Sequence, residues 1–363
     1  LAKRNALLHK LYTAKIIDKE TYDLALTEPL PTEPHPIPQL APHLLAYASK
    51  TCEGQRITTS LPIDLQQKVS QIVAGYYSHY SQSEIYNMAA LVVEVKTRKV
   101  LAYVGNTPTD ENHQKDVDII HAPRSTGSVL KPFLYAAMLH EGELLPTTLI
   151  PDVPTQIAGY SPQNFSNSFE GAVPADMALA KSLNVPFVWL LRQFTTYRFY
   201  EVLQKLRLKN ISRHPDHYGL SIILGGAESN LWDLAQAYTN LASEVNVFAA
   251  TQQYRSAEFQ SLSYIAGNSP DFGKATTALP TLRAGALYSM FSAMKEVNRP
   301  TDDVAWRYYE SARKIAWKTG TSFGNKDAWA IGATPEYVVA VWVGNATGEG
   351  RPTLTGVSYA APV

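Results

Sequence analysis

Ser128-Val129-Leu130-Lys131, Ser182-Leu183-Asn184 and Lys318-Thr319-Gly320-Thr321, in that order, decide how this chain reads. Together they supply a nucleophile, a base, a proton relay and an anion clamp, the parts that attack on a peptide carbonyl requires. No one string suffices. A Ser followed three residues later by Lys recurs at Ser292/Lys295 and Ser311/Lys314, but both pairs lie downstream of Ser182 and break the order. Ser-x-Asn and Lys-Thr-Gly each occur once. Chance at ordinary composition gives only about a tenth of a Lys-Thr-Gly in a chain this long, so the ordered set carries the weight.

Around the strings, composition describes a globular protein. At 363 residues and 45% apolar content the chain can bury a sizeable core and hold two to three domains. Lys plus Arg equals Asp plus Glu at 32 each, so net charge suggests neither a long nucleic-acid groove nor a polybasic membrane patch. The single cysteine, Cys52, excludes an internal disulfide and says little about redox compartment. No run approaches the ~20 apolar residues of a membrane helix. Nine histidines are scattered without metal spacing, and neither a metal nor a cofactor is expected.

Residues 1–28 read as two short helices, with Leu7, Leu8, Leu11 and Tyr12 on one face and a break near Ile17-Asp18. Six prolines from Pro29 to Pro42 favour an extended, semi-rigid connector, taken to run over 29–57. A packing helix is expected from about Pro62 to Tyr80, then a hairpin of Ala89–Val95 and Val100–Gly105. Gly127 before Ser128 and Pro132 after it place a helix start near Ser128, because Pro is tolerated only in a first turn. Residues 172–180 look helical, with Ser182 and Asn184 on a loop after them. Runs at 317–321, 328–333 and 337–343, separated by turns, complete an antiparallel sheet with helices around it.

Longer strings narrow the reading. Pro123-Arg124-Ser125-Thr126-Gly127 leads into Ser128, Val185-Pro186 follows Asn184, and Trp317 through Trp329 surrounds the third motif. With these, the chain resembles the transpeptidase half of class A (bifunctional) penicillin-binding proteins, most closely the 1C subfamily, from about Thr58 to its end. The resemblance implies an α/β fold of the α+β type, the penicillin-binding/serine-transpeptidase fold, occupying 58–363. It makes 1–28 the inert tail of a glycosyltransferase domain. It also implies an anchor in the full-length protein, missing here, that holds the enzyme at the periplasmic, extracytoplasmic face of the bacterial inner membrane.

The residue chemistry agrees with the resemblance. Ser128 and Lys131, three apart on a helix, share a face, and a serine needs a base that a lysine supplies only as neutral amine. The resemblance implies that Ser182 relays a proton to the leaving amine and that Asn184 bonds the substrate's peptide group. Lys318 to Thr321 would be an edge strand for an extended peptide, with Gly320 allowing close approach and the Thr319 and Thr321 hydroxyls holding a terminal carboxylate. The backbone N–H groups of Ser128 and Thr321 are the expected oxyanion hole. Asn164, in Tyr160-Ser161-Pro162-Gln163-Asn164-Phe165, is a further supporting candidate from a stretch that resembles the family's cleft border.

The function implied is a peptidoglycan D,D-transpeptidase acting on stem peptides ending in D-alanyl-D-alanine and trapped by β-lactams. A D,D-carboxypeptidase has the same strings, with water as acceptor. A β-lactam sensor, acylated once, and a catalytically silent structural component are the readings from other classes. A class A β-lactamase also shares the strings, but deacylates through a glutamate-held water. By resemblance that glutamate lies in a Glu-x-x-x-Asn string after Ser-x-Asn. Here the first acid after Asn184 is Glu201, with Lys205 four residues on, and Glu170 lies before Ser182.

Overall fold

The computed structural model describes residues 1–30, 39–157, 161–267, 270–296 and 314–363. The proline stretch 31–38, Tyr160 and Ser311 therefore lie outside the described residues. The chain divides into two compact units, 1–39 and 40–363. The smaller holds α1 (Ala2–Thr13) and α2 (Lys19–Thr27), with the break where the sequence places it. Asp18 caps α2 by accepting from the Thr21 N–H at 2.7 Å, and the Tyr12 and Tyr22 rings stack at 5.0 Å. Neither helix buries a residue fully.

The larger unit runs α3 (Pro42–Thr51), α4 (Ile63–Tyr80), β1 (Asn87–Glu94), β2 (Val100–Val104), β3 (Arg124–Ser125), α5 (Lys131–Glu141), β4 (Leu149–Asp152), β5 (Gly171–Pro174) and α6 (Ala175–Ala180). It continues through α7 (Asn184–Phe194), α8 (Thr196–Lys205), α9 (Pro215–Tyr218), β6 (Glu228–Ser229), α10 (Leu231–Thr251), β7 (Tyr254–Arg255), β8 (Ala275–Thr276) and α11 (Ala284–Met294). The strands β9 (Ala316–Thr321), β10 (Asp327–Ala333) and β11 (Tyr337–Gly344) close the order. The main sheet is antiparallel, ordered β2-β1-β11-β10-β9, and three two-stranded pairs, β3-β6, β4-β5 and β7-β8, lie outside it.

Side-chain alternation assigns the sheet's two faces. Ala89, Leu91 and Val93 join Trp329, Ile331, Val338, Ala340 and Trp342 in the larger core, with residues of α5, α10 and α11. Ala90, Ala328, Ala330, Val341 and Val343 pack on the other face with Val73 and Tyr80 of α4 and with Leu354 and Ala360. Both faces are covered, which is why these strands read as continuous apolar runs. Gln66 interrupts the apolar face of α4 for a reason: it donates to Tyr103 O at 3.0 Å and accepts from Tyr103 N at 2.8 Å, stitching α4 to β2.

Two local readings need correction. The segment taken as connector through residue 57 holds a helix, α3, which begins on Pro42, where the missing N–H costs nothing, and buries Leu44 in the main core. Residues 172–174, at the start of the stretch read as helical, belong instead to β5, paired with β4.

Candidate active site

The serine turn is built by close backbone approach. Gly127 has φ +52°, and a Cβ there would lie 2.7 Å from the Thr321 nitrogen. On its other side a Cβ on Gly225, φ +103°, would lie 2.9 Å from Gly127 Cα. Gly320 brings β9 within the same distance range, its hypothetical Cβ 2.8 Å from Thr126 O and 3.3 Å from Ser128 N. The turn is anchored on several sides. Ser125 Oγ donates to Gly225 O at 2.7 Å, Thr126 N and Oγ1 each donate to Ala227 O at 3.0 Å, and Trp329 Nε1 donates to Ser125 O at 2.7 Å. Tyr238 donates to Val129 O at 3.1 Å. Ser128 is half-buried, while its neighbours from Thr126 to Met138 are buried.

The helix does not start at Ser128. Residues 127–130 form a turn, Lys131 N bonds Ser128 O at 3.3 Å, and α5 begins at Lys131. Pro132 has no N–H to give the Ser128 carbonyl, Phe133 N bonds Leu130 O at 3.1 Å, and the i to i−4 ladder begins with Leu134 N on Leu130 O at 3.5 Å.

The two motif lysines converge on Ser182. Lys131 Nζ donates to Ser182 O at 2.8 Å and Asn184 Oδ1 at 2.7 Å, while Lys318 Nζ donates to Ser182 Oγ and Thr319 O, both at 2.7 Å. Both lysines are 0% exposed. Burial holds Lys131 well below the ordinary lysine range, and the charge of Lys318 pushes it the same way. Burial pushes Lys318 down to about 7. Ser182 itself carries a left-handed backbone, φ +55°, which is uncommon for a serine and turns the chain between α6 and α7.

Asn184 is the first residue of α7 rather than part of a loop. Its cap comes from afar: Asn164 Oδ1 accepts from Asn184 N at 2.9 Å and Val185 N at 3.2 Å. A local reading has no access to a cap supplied 20 residues upstream. Asn184 Nδ2 donates to Gln163 O at 2.8 Å, so both ends of its amide are engaged. Asn164 Nδ2 reaches Asp152 Oδ1 at 2.7 Å, and sequence reasoning gave no role to that buried acid. Glu170 pairs with Lys181 at 2.6 Å.

On β9, alternation places Lys318 and Gly320 on the face of Ala316, and Thr319 and Thr321 on the other. Thr321 Oγ1 accepts from Gly356 N at 3.0 Å, and a Cβ on Gly356 would lie 2.9 Å from Thr319 Cβ. Both threonines thus face the turn at Gly356–Ala360. β9 is an edge strand whose one sheet neighbour is β10. Trp329 and Trp342 are core: each is buried, and Trp342 Nε1 donates to Asp327 Oδ1 at 3.1 Å.

Comparison with known proteins bears on this arrangement. The family model described as the penicillin binding protein transpeptidase domain matches residues 88–363. Penicillin-binding protein 1C of Escherichia coli (strain K12) is 31% identical over 363 residues, covering 100% of this chain and 44% of that protein. Penicillin-binding protein 1B of Vibrio cholerae is 25% identical over 384 residues, covering 99% and 47%. The chain therefore spans less than half the length of these relatives. Among solved structures, penicillin-binding protein 1A from Haemophilus influenzae superposes with a TM-score of 0.68 at 15% identity, over 98% of this chain and 74% of that one. The PonA1 protein from Mycobacterium tuberculosis in complex with penicillin V gives 0.63 at 19%, over 88% of each chain. The mixed fold with its antiparallel sheet is that of these transpeptidase structures, and with three-quarters of its length matched, this chain belongs to the penicillin-binding protein transpeptidase family.

Proposed function

We propose that the chain is a peptidoglycan D,D-transpeptidase in which Ser128 attacks the D-alanyl-D-alanine bond of one stem peptide. The terminal D-alanine leaves, and an amine of a second stem peptide resolves the acyl-enzyme. The observation that carries the reading is the convergence of two buried lysines on Ser182 beside the Ser128 turn.

A neutral Lys131 amine has two N–H bonds and one lone pair. Ser182 O and Asn184 Oδ1 accept the two N–H bonds, which leaves the lone pair for the proton of Ser128. As the Ser128 Oγ–carbon bond forms, that proton passes to Lys131 and negative charge collects on the carbonyl oxygen. The N–H groups of Ser128 and Thr321 are the donors assigned to it. Collapse breaks the C–N bond, and the leaving amine takes its proton through Ser182, whose oxygen accepts from Lys318. Deacylation runs the same transfers in reverse with the incoming amine. An extended donor peptide adds to the open edge of β9, its carboxylate held by the hydroxyls of Thr319 and Thr321, with Lys318 buried on the strand's other face at Ser182. Thr321 Oγ1 accepts from Gly356, which still leaves its proton to donate.

In this reading β-lactams trap Ser128, residues 1–28 are the end of a glycosyltransferase domain, and an upstream anchor holds the whole protein at the periplasmic face of the inner membrane. Intact-mass measurement after benzylpenicillin should find one added drug mass on the peptide holding Ser128, and none in Ser128→Ala. Offered a stem-peptide donor with an amine acceptor, the protein should yield cross-linked product. Hydrolysis alone in the presence of acceptor would replace the reading with a carboxypeptidase, and a stable adduct with neither product would make the chain a sensor.

A further inference from the structure

The contacts of Asn164 lead to a residue outside the three motifs. Asp152, the last residue of β4, is 0% exposed. Its Oδ1 accepts from Asn164 Nδ2 at 2.7 Å and its Oδ2 from Glu170 N at 2.9 Å. Asn164 uses every bonding position of its amide: Nδ2 also donates to Ser168 O at 2.9 Å, and Oδ1 accepts from Asn184 N and Val185 N. An amide is nearly symmetric in shape, so its partners decide which end is oxygen. Two acceptors on one side and two donors on the other allow Asn164 one orientation. Burying a full carboxylate is a costly way to hold a loop, and it is the side chain that accepts at both oxygens and donates at neither.

The same loop also orients Asn184. Gln163, beside Asn164, accepts from Asn184 Nδ2, which turns Asn184 Oδ1 toward Lys131. We propose that Asp152 is a positioning residue for acylation: by fixing the polarity of Asn164 it pins the first turn of α7 and aims Asn184 Oδ1 at the Lys131 amine. This rests on the assignment of Ser128 and Lys131 made above. The other charged group facing Lys131 is Lys318, which the proposal leaves in place.

The test follows acylation by a fluorescent penicillin across pH, with thermal unfolding measured in parallel. The parent protein is examined first: if it is not labelled at Ser128, the acylation reading itself fails, a result separate from the fate of Asp152. In Asp152→Asn, the new amide can accept from Asn164 or from Glu170 N but not from both. Its acylation rate constant should fall on the order of 10²-fold, the effect of a small misplacement of a catalytic group. The loss should sit in that rate constant rather than in drug affinity. The rising limb of the pH profile should move to lower pH, because the Lys131 ammonium loses an acceptor. Asn164→Asp, which sets two carboxylates together, should be slower still. The exchange Asp152→Asn with Asn164→Asp restores donor against acceptor between the two side chains but sets a carboxylate oxygen against Ser168 O, so acylation should recover only part of the way to parent, above either single variant. Parent-like rate and pH profile in folded Asp152→Asn would overturn the proposal. So would a folded exchange variant no faster than the single variants, and that comparison decides the matter if Asp152→Asn alone fails to fold.

Discussion

Lys131 and Lys318 are both buried amines, yet the contacts around them differ, and so do the consequences of changing each. Lys131→Arg keeps the charge but puts a permanently protonated group where a lone pair is required. Acylation by a fluorescent penicillin should slow by ~10²–10⁴-fold, the usual cost of losing a positioned base. A rate within a few-fold of parent would remove Lys131 from that role. For Lys318 the readout is stability. Its amine titrates at about 7 in the folded protein, below the ordinary value of 10.5. Between those values the unfolded chain carries a proton that the folded one lacks, so raising pH favours the fold. The contribution approaches ~1.4 kcal/mol per pH unit for a full proton, with Lys131 acting in the same direction. Melting temperature should therefore climb from pH 7 to 9, below the range where the buried Tyr80, Tyr103, Tyr135 and Tyr238, all raised by burial, act in the opposite direction. Lys318→Met should flatten that climb; an unchanged slope would contradict the assignment. A third outcome concerns deacylation. Glu170, which precedes the second motif in sequence, is paired with Lys181. Labelled protein should accordingly hold its drug through a long chase, whereas release within seconds with steady nitrocefin turnover would make the chain a β-lactamase. At this scale the sequence was legible where residues of short strings meet in space, as Ser182 and the two lysines do. Asp152 was not, because its meaning lies in a contact 12 residues away and in a carboxylate that no local pattern marks.

At the scale of elements, strands and hairpin were readable from alternation and apolar runs, since each is stabilised by burial that the sequence itself displays. Helix starts were less so. α5 begins three residues late, with Pro132 withholding a bond in its first turn, and α7 begins on Asn184 because Asn164 caps it from another loop. The serine turn shows the same dependence on distant chain. Gly127 is pressed between β9 and the Gly225 segment, and its left-handed backbone adds a second demand. Gly127→Ala should cost ~1–3 kcal/mol from backbone strain alone, plus whatever the contact with Thr321 imposes. It should also abolish penicillin labelling, because the displaced groups include the nitrogens of Ser128 and Thr321. Thermal melts with labelling check this, and a labelled variant of parent stability would show that the turn is looser than these distances state.

For the whole molecule, the larger unit contains every residue of both hydrophobic cores, while α1 and α2 bury none fully. A chain of residues 40–363 should thus melt within a few degrees of the full chain and take penicillin at the same rate. A large loss would place stabilising contacts in the first 39 residues. Within this unit, the order of the main sheet sets a schedule. β1 sits between β2 and β11, so one of its two edges is completed by a strand far along the chain. At ordinary elongation speeds, the roughly 240 residues that separate them take about 10–50 s to synthesise. Until those residues are present, β1 has one apolar edge unpaired, and the serine turn and Lys131 lack β9 and its Lys318. The serine turn and the sheet that backs it are therefore completed together, only once β9, β10 and β11 have joined the strands that begin at β1.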